Sequence, residues 1–335
     1  MIFYRSILTN VVVKELLIGF GNMGRLHARV TNKLGVLGGI VEPSEKARSL
    51  ADREYDVPTY QSLDEVEFTP DGIIIAVPTK FHLSVVEQIQ KKFERIKAVL
   101  LEKPVASDLH ESRKVAEILQ SMQVKTLIGH IEVFNPVVSK FIELIKSGHY
   151  GKVRTFTVSR KGAVPIERLG SLSGVLEDLG VHDFDILSRF VNGSLRIYST
   201  GIYKEDSLNS ALISISGDNF HGMVHLSREF AGKERKITIE CEKSTFNVDL
   251  IAQTIEIRAL GNITSQEGVI SIPHGPGSSI KVYGEPLLEE HLNFLDVING
   301  RAEPLVNIDN GLRVMEFVDA SIRSLQSHQP VNLLI

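Results

Sequence analysis

The chain has 335 residues, of which 43% are hydrophobic and 23% charged, the balance of an ordinary globular protein; at that length two domains are expected. A formal net charge of −4 argues against a nucleic-acid partner, which would call for a basic face, but leaves room for a local basic pocket around a phosphorylated ligand. A lone cysteine, Cys241, excludes an intrachain disulfide, and no apolar run approaches the ~20 residues that cross a bilayer, so a cytoplasmic protein with no membrane partner is expected.

Met1 to Val13 is apolar in places and carries Arg5, but it lacks the long apolar run and cleavage site of a secretory signal. It reads as a short extension before the first strand, or as a start placed too early. From Lys14 to about Gly129, short apolar runs (Glu15–Ile18, Val36–Val41, Gly72–Val77, Ala98–Leu101 and Lys125–Ile128) alternate with helical patterns (Met23–Lys33, Ser44–Arg53, Leu83–Phe93 and Leu109–Met122). That spacing predicts βαβ units around a buried parallel sheet, an α/β doubly wound domain over residues 14–130.

The texture then changes. A helix is expected over Val133–Lys146, a strand over Lys152–Arg160 and a helix from about Gly174 to Phe190. From Leu195 to about Ile272 the chain is strand-like, with alternation at Ile237, Ile239 and Cys241 and at Phe246, Val248 and Leu250. Gly261–Ser279, rich in Gly, Ser and Pro, reads as loop, and helices are expected at Glu289–Asn299 and Asn310–Ser327. The second domain is therefore expected to be α+β with a largely antiparallel open sheet, over residues 131–308, and residues 309–335 are expected to pack back on the N-terminal domain.

Gly19-Phe20-Gly21-Asn22-Met23-Gly24, with His27 beyond it, follows an apolar strand and opens a helix, the context that makes this pattern a dinucleotide fingerprint. Gly19 allows the turn, Gly21 the approach of a pyrophosphate and Gly24 close packing of helix on strand, with the pyrophosphate on the helix N-terminus. Glu42, at the end of the second strand, can accept hydrogen bonds from the adenosine ribose and favours NAD; it can equally cap the next helix, and nearby Lys46 and Arg48 keep NADP open. Val77, Pro78, Thr79 and His82 follow the third strand at the edge where such sheets bind ligands, though Thr79 can also cap the helix there. Glu102-Lys103-Pro104 ends the fourth run at the same edge, with Lys103 kept extended by the proline.

Further on, Asp178 and His182 are four apart and share a helix face, with Asp185 on much the same side. Taken alone, such a pair is also what a solvated helix surface carries. His221 and His225 can share a strand face, but no neighbouring ligand set completes a metal site, so no metal is expected.

Together, the glycine fingerprint with His27, Ala76-Val77-Pro78-Thr79 with His82, Glu102-Lys103-Pro104 and Asp178…His182…Asp185 resemble the Gfo/Idh/MocA oxidoreductases, over nearly the whole chain after about residue 14. The resemblance implies hydride transfer between NAD and a sugar-like hydroxyl, with Lys103, Asp178 and His182 as the catalytic set. The second-domain sheet would serve oligomerisation, giving a homodimer or homotetramer. Gly129 to Pro136, Arg160…Pro165…Arg168 and Gly174 to Asp185 resemble, within that family, the branch that oxidises nucleotide sugars, nearest to UDP-N-acetylglucosamine 3-dehydrogenases. That likeness implies His130, Asn135, Arg160 and Arg168 as substrate contacts beside Lys103, Asp178 and His182, with the arginines holding a diphosphate. The chain departs from the branch in reading Arg160-Lys161-Gly162-Ala163 in place of Arg-x-Gly-Pro. A dehydrogenase of a free sugar or inositol, and a non-catalytic NAD-binding regulator, are the alternatives.

Overall fold

The computed structural model describes residues 13–164, 173–259, 264–266, 269–271 and 277–335, which form two units. In the first, six strands, β1 (Glu15–Ile18), β2 (Leu37–Val41), β3 (Thr59–Tyr60), β4 (Gly72–Ile75), β5 (Ala98–Glu102) and β6 (Lys125–Gly129), make one sheet in the order β3-β2-β1-β4-β5-β6. All neighbours are parallel. Helices α1 (Asn22–Leu34), α2 (Glu45–Glu54), α3 (His82–Lys92) and α4 (Leu109–Ser121) link the strands. A sheet covered on both faces needs unbroken apolar strands, and Leu16–Ile18, Ile73–Ile75 and Ala98–Leu101 are buried throughout. The chain order reverses between β1 and β4, the switch point at whose carboxyl edge such sheets take ligands.

The second unit carries helix α5 (Pro136–Lys146), a single π-helical turn at Leu176–Gly180 and helix α6 (Val181–Ser188). Its strands are β7 (Val153–Gly162), β8 (Ser194–Lys204), β9 (Ser207–Ser216), β10 (His221–Ser227), β11 (Lys233–Cys241), β12 (Ser244–Asp249) and β13 (Thr254–Ala259). A separate pair comes next, β14 (Thr264–Gln266) with β15 (Val269–Ser271), then β16 (Gly277–Lys281) and β17 (Val331–Leu334). The nine-stranded sheet runs β16-β13-β12-β11-β7-β10-β9-β8-β17, antiparallel except between β7 and β10. The alternation expected at Ile237, Ile239, Cys241, Phe246, Val248 and Leu250 is met, for all six are buried. On the other face Tyr198, Leu212 and Met223 stand exposed.

Two expectations need correction. The stretch Gly261–Ser279 is not all loop: β14, β15 and the start of β16 lie in it. The exposed edge of β13 needs a partner for its backbone groups, and β16 supplies it with Ile280 opposite Ile255, a pairing hidden by the run of small residues before it. The C-terminal segment is also not an appendage of the first unit. The last two helices are α7 (Pro286–Ile298) and α8 (Ile308–Ser327); residues 290–309 belong to the first unit and residues 310–335 to the second. Gly72 on β4 leaves space that Phe294 and Ile298 fill, and Ile128 N–H donates to the Val306 carbonyl (2.9 Å). In the second unit Phe317 stacks on Phe184, with ring centroids 5.3 Å apart, and β17 adds to β8 with Val331 opposite Ile197.

A carboxylic acid sits inside the parallel sheet near its middle. Glu15 is fully buried on β1, flanked by β2 and β4, and among the described residues neither carboxylate oxygen has a hydrogen-bond partner. Burial pushes its carboxyl from the ordinary 4.5 up to about 8, and the nearby Asp71 charge adds to the shift. Across that window the unfolded chain has released a proton that the folded chain keeps, so stability falls as pH rises toward about 8 and levels off beyond it. Glu15→Gln should remove the fall: thermal melts are expected to show wild type and variant alike near about pH 5, and the variant several degrees more stable near about pH 8.

Candidate active site

In the first unit β1 runs into the glycine fingerprint and α1. Gly19 adopts φ +95°, and a Cβ there would lie 2.8 Å from the Ala76 carbonyl oxygen. A Cβ on Gly24 would collide with the Gly19 carbonyl, so only glycine lets α1 lie this close to β1. A Cβ on Gly21 would meet nothing within 4 Å, and α1 has no side-chain cap at its N-terminus. Gly21 and Asn22 are exposed, Met23 is half-buried and Phe20 is buried under the turn. Open space before uncapped N–H groups is what a dinucleotide pyrophosphate requires, so the fingerprint fits NAD.

Glu42 is half-buried at the end of β2, and both of its carboxylate oxygens accept from backbone N–H groups. Its Oε2 accepts from Phe20 N–H (2.8 Å), which ties the fingerprint to β2, and its Oε1 accepts from Ser44 N–H (2.9 Å) at the start of α2. Arg48 donates to the carbonyls of Glu42 (2.8 Å) and Pro43 (2.7 Å), a placement that occupies it with backbone. Arg25, Lys46 and Arg53 line a shallow pocket beside the start of α2.

Beyond β4, Val77 and Thr79 are half-buried and Pro78 is exposed, at the ligand-binding edge. Thr79 opens a short 3-10 turn and does not cap α3, whose N-terminus has no side-chain cap. His82 is fully buried, with Nε2 3.1 Å from the Val77 carbonyl and Nδ1 3.2 Å from that of Val105. It braces two loops and has no surface to offer a cofactor, contrary to expectation. Lys103 is half-buried at the end of β5 and joins Pro104 through a cis bond. Glu102 points inward: Oε1 lies 2.8 Å from His27 Nε2, and Oε2 accepts from Lys103 N–H (3.2 Å). It too is a support for the loop, not a ligand contact, because its carboxylate is turned into the unit's interior.

In the second unit Asp178 lies on the π turn and His182 on α6, both half-buried. Arg228, just past β10, donates through Nη2 to Asp178 Oδ2 (2.9 Å) and to the Ser173 carbonyl (2.6 Å). Nothing in its sequence setting distinguishes Arg228 from a solvated arginine at a strand end, yet it is almost wholly buried. Asp185 does not share the Asp178 face. The π turn takes an extra residue per turn and rotates the helix beyond it, so Asp185 is fully buried and held by Arg189 (3.0 Å). Burial pushes its carboxyl up to about 6 against the pull of Arg189.

The expected substrate contacts His130, Asn135 and Arg160 are all buried. Asn135 caps α5 by accepting from Val137 N–H (3.3 Å) and donates to the Leu250 carbonyl (3.1 Å). Arg160, 2% exposed, forks onto Asp183 through Nε (2.8 Å) and Nη2 (3.0 Å) and reaches Glu132 through Nη1 (2.8 Å). Arg235 meets the same Glu132 oxygen at 2.7 Å. Burial opposes ionisation of Glu132, but the charges of Arg160 and Arg235 hold its carboxyl below the ordinary value. The guanidinium expected to clamp a diphosphate is thus already engaged by two buried carboxylates. Arg168 lies outside the described residues.

Residues 13–130 match the model of an oxidoreductase family with an NAD-binding Rossmann fold, and residues 142–333 that of the family's C-terminal alpha/beta domain, GFO_IDH_MocA in both cases. An inositol 2-dehydrogenase of Rhizobium meliloti is 23% identical over 95% of this chain and 98% of its own. Among solved structures, the UDP-N-acetylglucosamine 3-dehydrogenase GnnA from Acidithiobacillus ferrooxidans superposes with a TM-score of 0.82 at 20% identity, covering 95% of this chain and 99% of that one. The WlbA dehydrogenase from Bordetella pertussis, solved with NADH and UDP-GlcNAcA, gives 0.80 at 17% identity, covering 97% and 100%.

Two outcomes are expected. By fluorescence titration NADH should bind about tenfold more tightly than NADPH, and Glu42→Gln should narrow the gap by easing repulsion of a 2′-phosphate. Arg160→Ala should leave Asp183 as an uncompensated buried charge and Glu132 with Arg235 as its remaining cation among the described residues, destabilising the protein by about 3–5 kcal/mol in denaturant unfolding.

Proposed function

This chain belongs to the Gfo/Idh/MocA family of oxidoreductases, and from that premise we propose that it takes a hydride from a secondary ring hydroxyl of a sugar, foremost the 3-hydroxyl of UDP-N-acetylglucosamine or a related UDP-sugar. As a member it is an NAD-dependent dehydrogenase acting on CH–OH donors. The observation that carries the catalytic assignment is the burial pattern of α6: seven of its eight residues are buried and His182 alone is left half-exposed. A helix sunk in the core that presents one imidazole, beside an aspartate fixed by a buried arginine, has the character of a general-base site.

In this reading His182 removes the hydroxyl proton, a task suited to an imidazole whose ordinary pKa of about 6.5 lies near working pH. Lys103, in the role the family resemblance gives it, holds the hydroxyl oxygen and stabilises the charge that develops on it. Asp178, its far side held by Arg228, orients the imidazole or binds a neighbouring hydroxyl. Bound NAD supplies the acceptor for the hydride.

The nucleotide-sugar assignment is supported by the motif context from Gly129 to Asp185 and by the likeness to GnnA and WlbA. A second reading, a free cyclic polyol, is favoured by the internal pairing of Arg160, which withdraws one of the two arginines assigned to the diphosphate.

A panel of UDP-sugars, free sugars and inositols, followed by NADH absorbance, separates the two. Strong preference for UDP-N-acetylhexosamines is expected; equal rates with inositol or free sugars would move the assignment to the second reading. With the best substrate, Lys103→Ala and His182→Ala should each lower kcat by about 10²-fold or more while NADH affinity changes little.

A further inference from the structure

Behind Lys103, within the first unit, lies a buried polar cluster that the chemistry above does not use. It comprises His27 on α1, Glu102 at the end of β5, and Glu290 and His291 on α7; Glu102 is 6% exposed and the other three 0%. His27 Nδ1 lies 2.9 Å from His291 Nε2, and His27 Nε2 lies 2.8 Å from Glu102 Oε1. Glu102 Oε2 accepts from Lys103 N–H at 3.2 Å. A ligand atom from each of His27, Glu102 and Glu290 falls within 4.8 Å of the others, and among the described residues neither Glu290 oxygen has a hydrogen-bond partner.

The distances fix where the protons lie. Two carboxylates this close in a dry interior cannot both be ionised. Glu290 is pushed well above its ordinary value, by burial first and by the Glu102 carboxylate second, and so favours its protonated form. His291 is pushed down by burial and by His27, and is neutral. At 2.8 Å from a carboxylate, His27 Nε2 must carry a hydrogen, since two facing lone pairs would repel. Nε2–H therefore donates to Glu102 whether or not Nδ1 is protonated. A shared metal would need a different spacing: ligand atoms ~2.0–2.1 Å from one tetrahedral zinc stand ~3.3 Å apart, so these shorter contacts are hydrogen bonds.

We propose that the chain from His291 through His27 to Glu102 is a positioning device for Lys103: it holds the Glu102 carboxylate against the Lys103 peptide N–H and so sets the direction in which the lysine leaves β5. His27, Glu102, Glu290 and His291 are positioning residues, not catalytic ones. The proposal rests on the assignment of Lys103 to the hydroxyl oxygen, and it makes α7 part of the active-site support.

The test reads Lys103 directly. Reductive methylation of the intact protein, quantified at Lys103 by peptide mass spectrometry, is compared across variants alongside kcat, KM, NADH affinity and melting temperature. Glu102→Gln, which keeps shape and removes charge, should change Lys103 labelling by about threefold or more and lower kcat by about tenfold or more, with KM and NADH affinity changed by less than about threefold. Glu290→Gln, a mimic of the neutral acid, should keep wild-type labelling. If Glu102→Gln does not fold, His27→Leu should disturb labelling and His27→Gln, whose amide can still donate, should restore it. Wild-type labelling in both Glu102→Gln and His27→Leu would overturn the proposal, as would a fall in kcat matched by loss of folded protein, or stoichiometric metal in the purified enzyme. Normal turnover by Lys103→Ala would instead remove the lysine's catalytic role and leave the labelling result standing.

Discussion

Helix α1 can lie against β1 only because Gly24 has no side chain to strike the Gly19 carbonyl. That approach has two results at opposite ends of one turn. At the N-terminus it aims uncapped N–H groups into the open space before Gly21. One turn further on it carries His27 into the interior, where the ring meets Glu102 at the end of β5. The same glycine thus sets both the cradle for the pyrophosphate and the buried contact behind Lys103. A larger residue at Gly24 would separate helix and strand and loosen both together.

The second unit solves a different problem, how to hold a helix that must show one polar group. Helix α6 buries Asp183 and Asp185 as well as its apolar residues. Each acid needs a cation, found in Arg160 for Asp183 and Arg189 for Asp185. Arg160 also neutralises Glu132, with Arg235 sharing the load. Such pairs add little net stability compared with apolar packing, but breaking one leaves a charge stranded. Their effect here is to fix the rotation of α6, and with it which residue faces outward.

Much of this was legible in the sequence where the signal is local. The glycine fingerprint, the apolar strands of the parallel sheet and the alternation in β11 and β12 depend on neighbours in the chain, and the structure keeps to them closely. Of the candidate catalytic residues, Lys103, Asp178 and His182 keep partly open positions, which burial alone could have denied them. What could not be read is pairing between distant charges. Arg160 looks like a ligand-binding arginine until Asp183 and Glu132 are seen to fill its fork, and Arg228 carries no mark of its contact with Asp178. The π turn was equally hidden, because a one-residue slip of phase leaves no trace in composition, and it overturned the placement of Asp185. Glu290 and His291 look like a polar helix surface; only the return of their segment to the first unit makes them interior.

That return gives the molecule a built-in order of assembly. As the chain emerges from a ribosome, residues 13–129 come out before the pieces that complete them. The space beside Gly72 lacks Phe294 and Ile298, Ile128 lacks the Val306 carbonyl, and His27 lacks a partner 264 positions away. Closing so long a loop carries a conformational entropy cost that local contacts do not share. The nucleotide-binding half is therefore finished late, after most of the other half has been made. A newly made chain acquires the complete surroundings of Lys103 only once residues 290–309 have followed most of the second unit's strands.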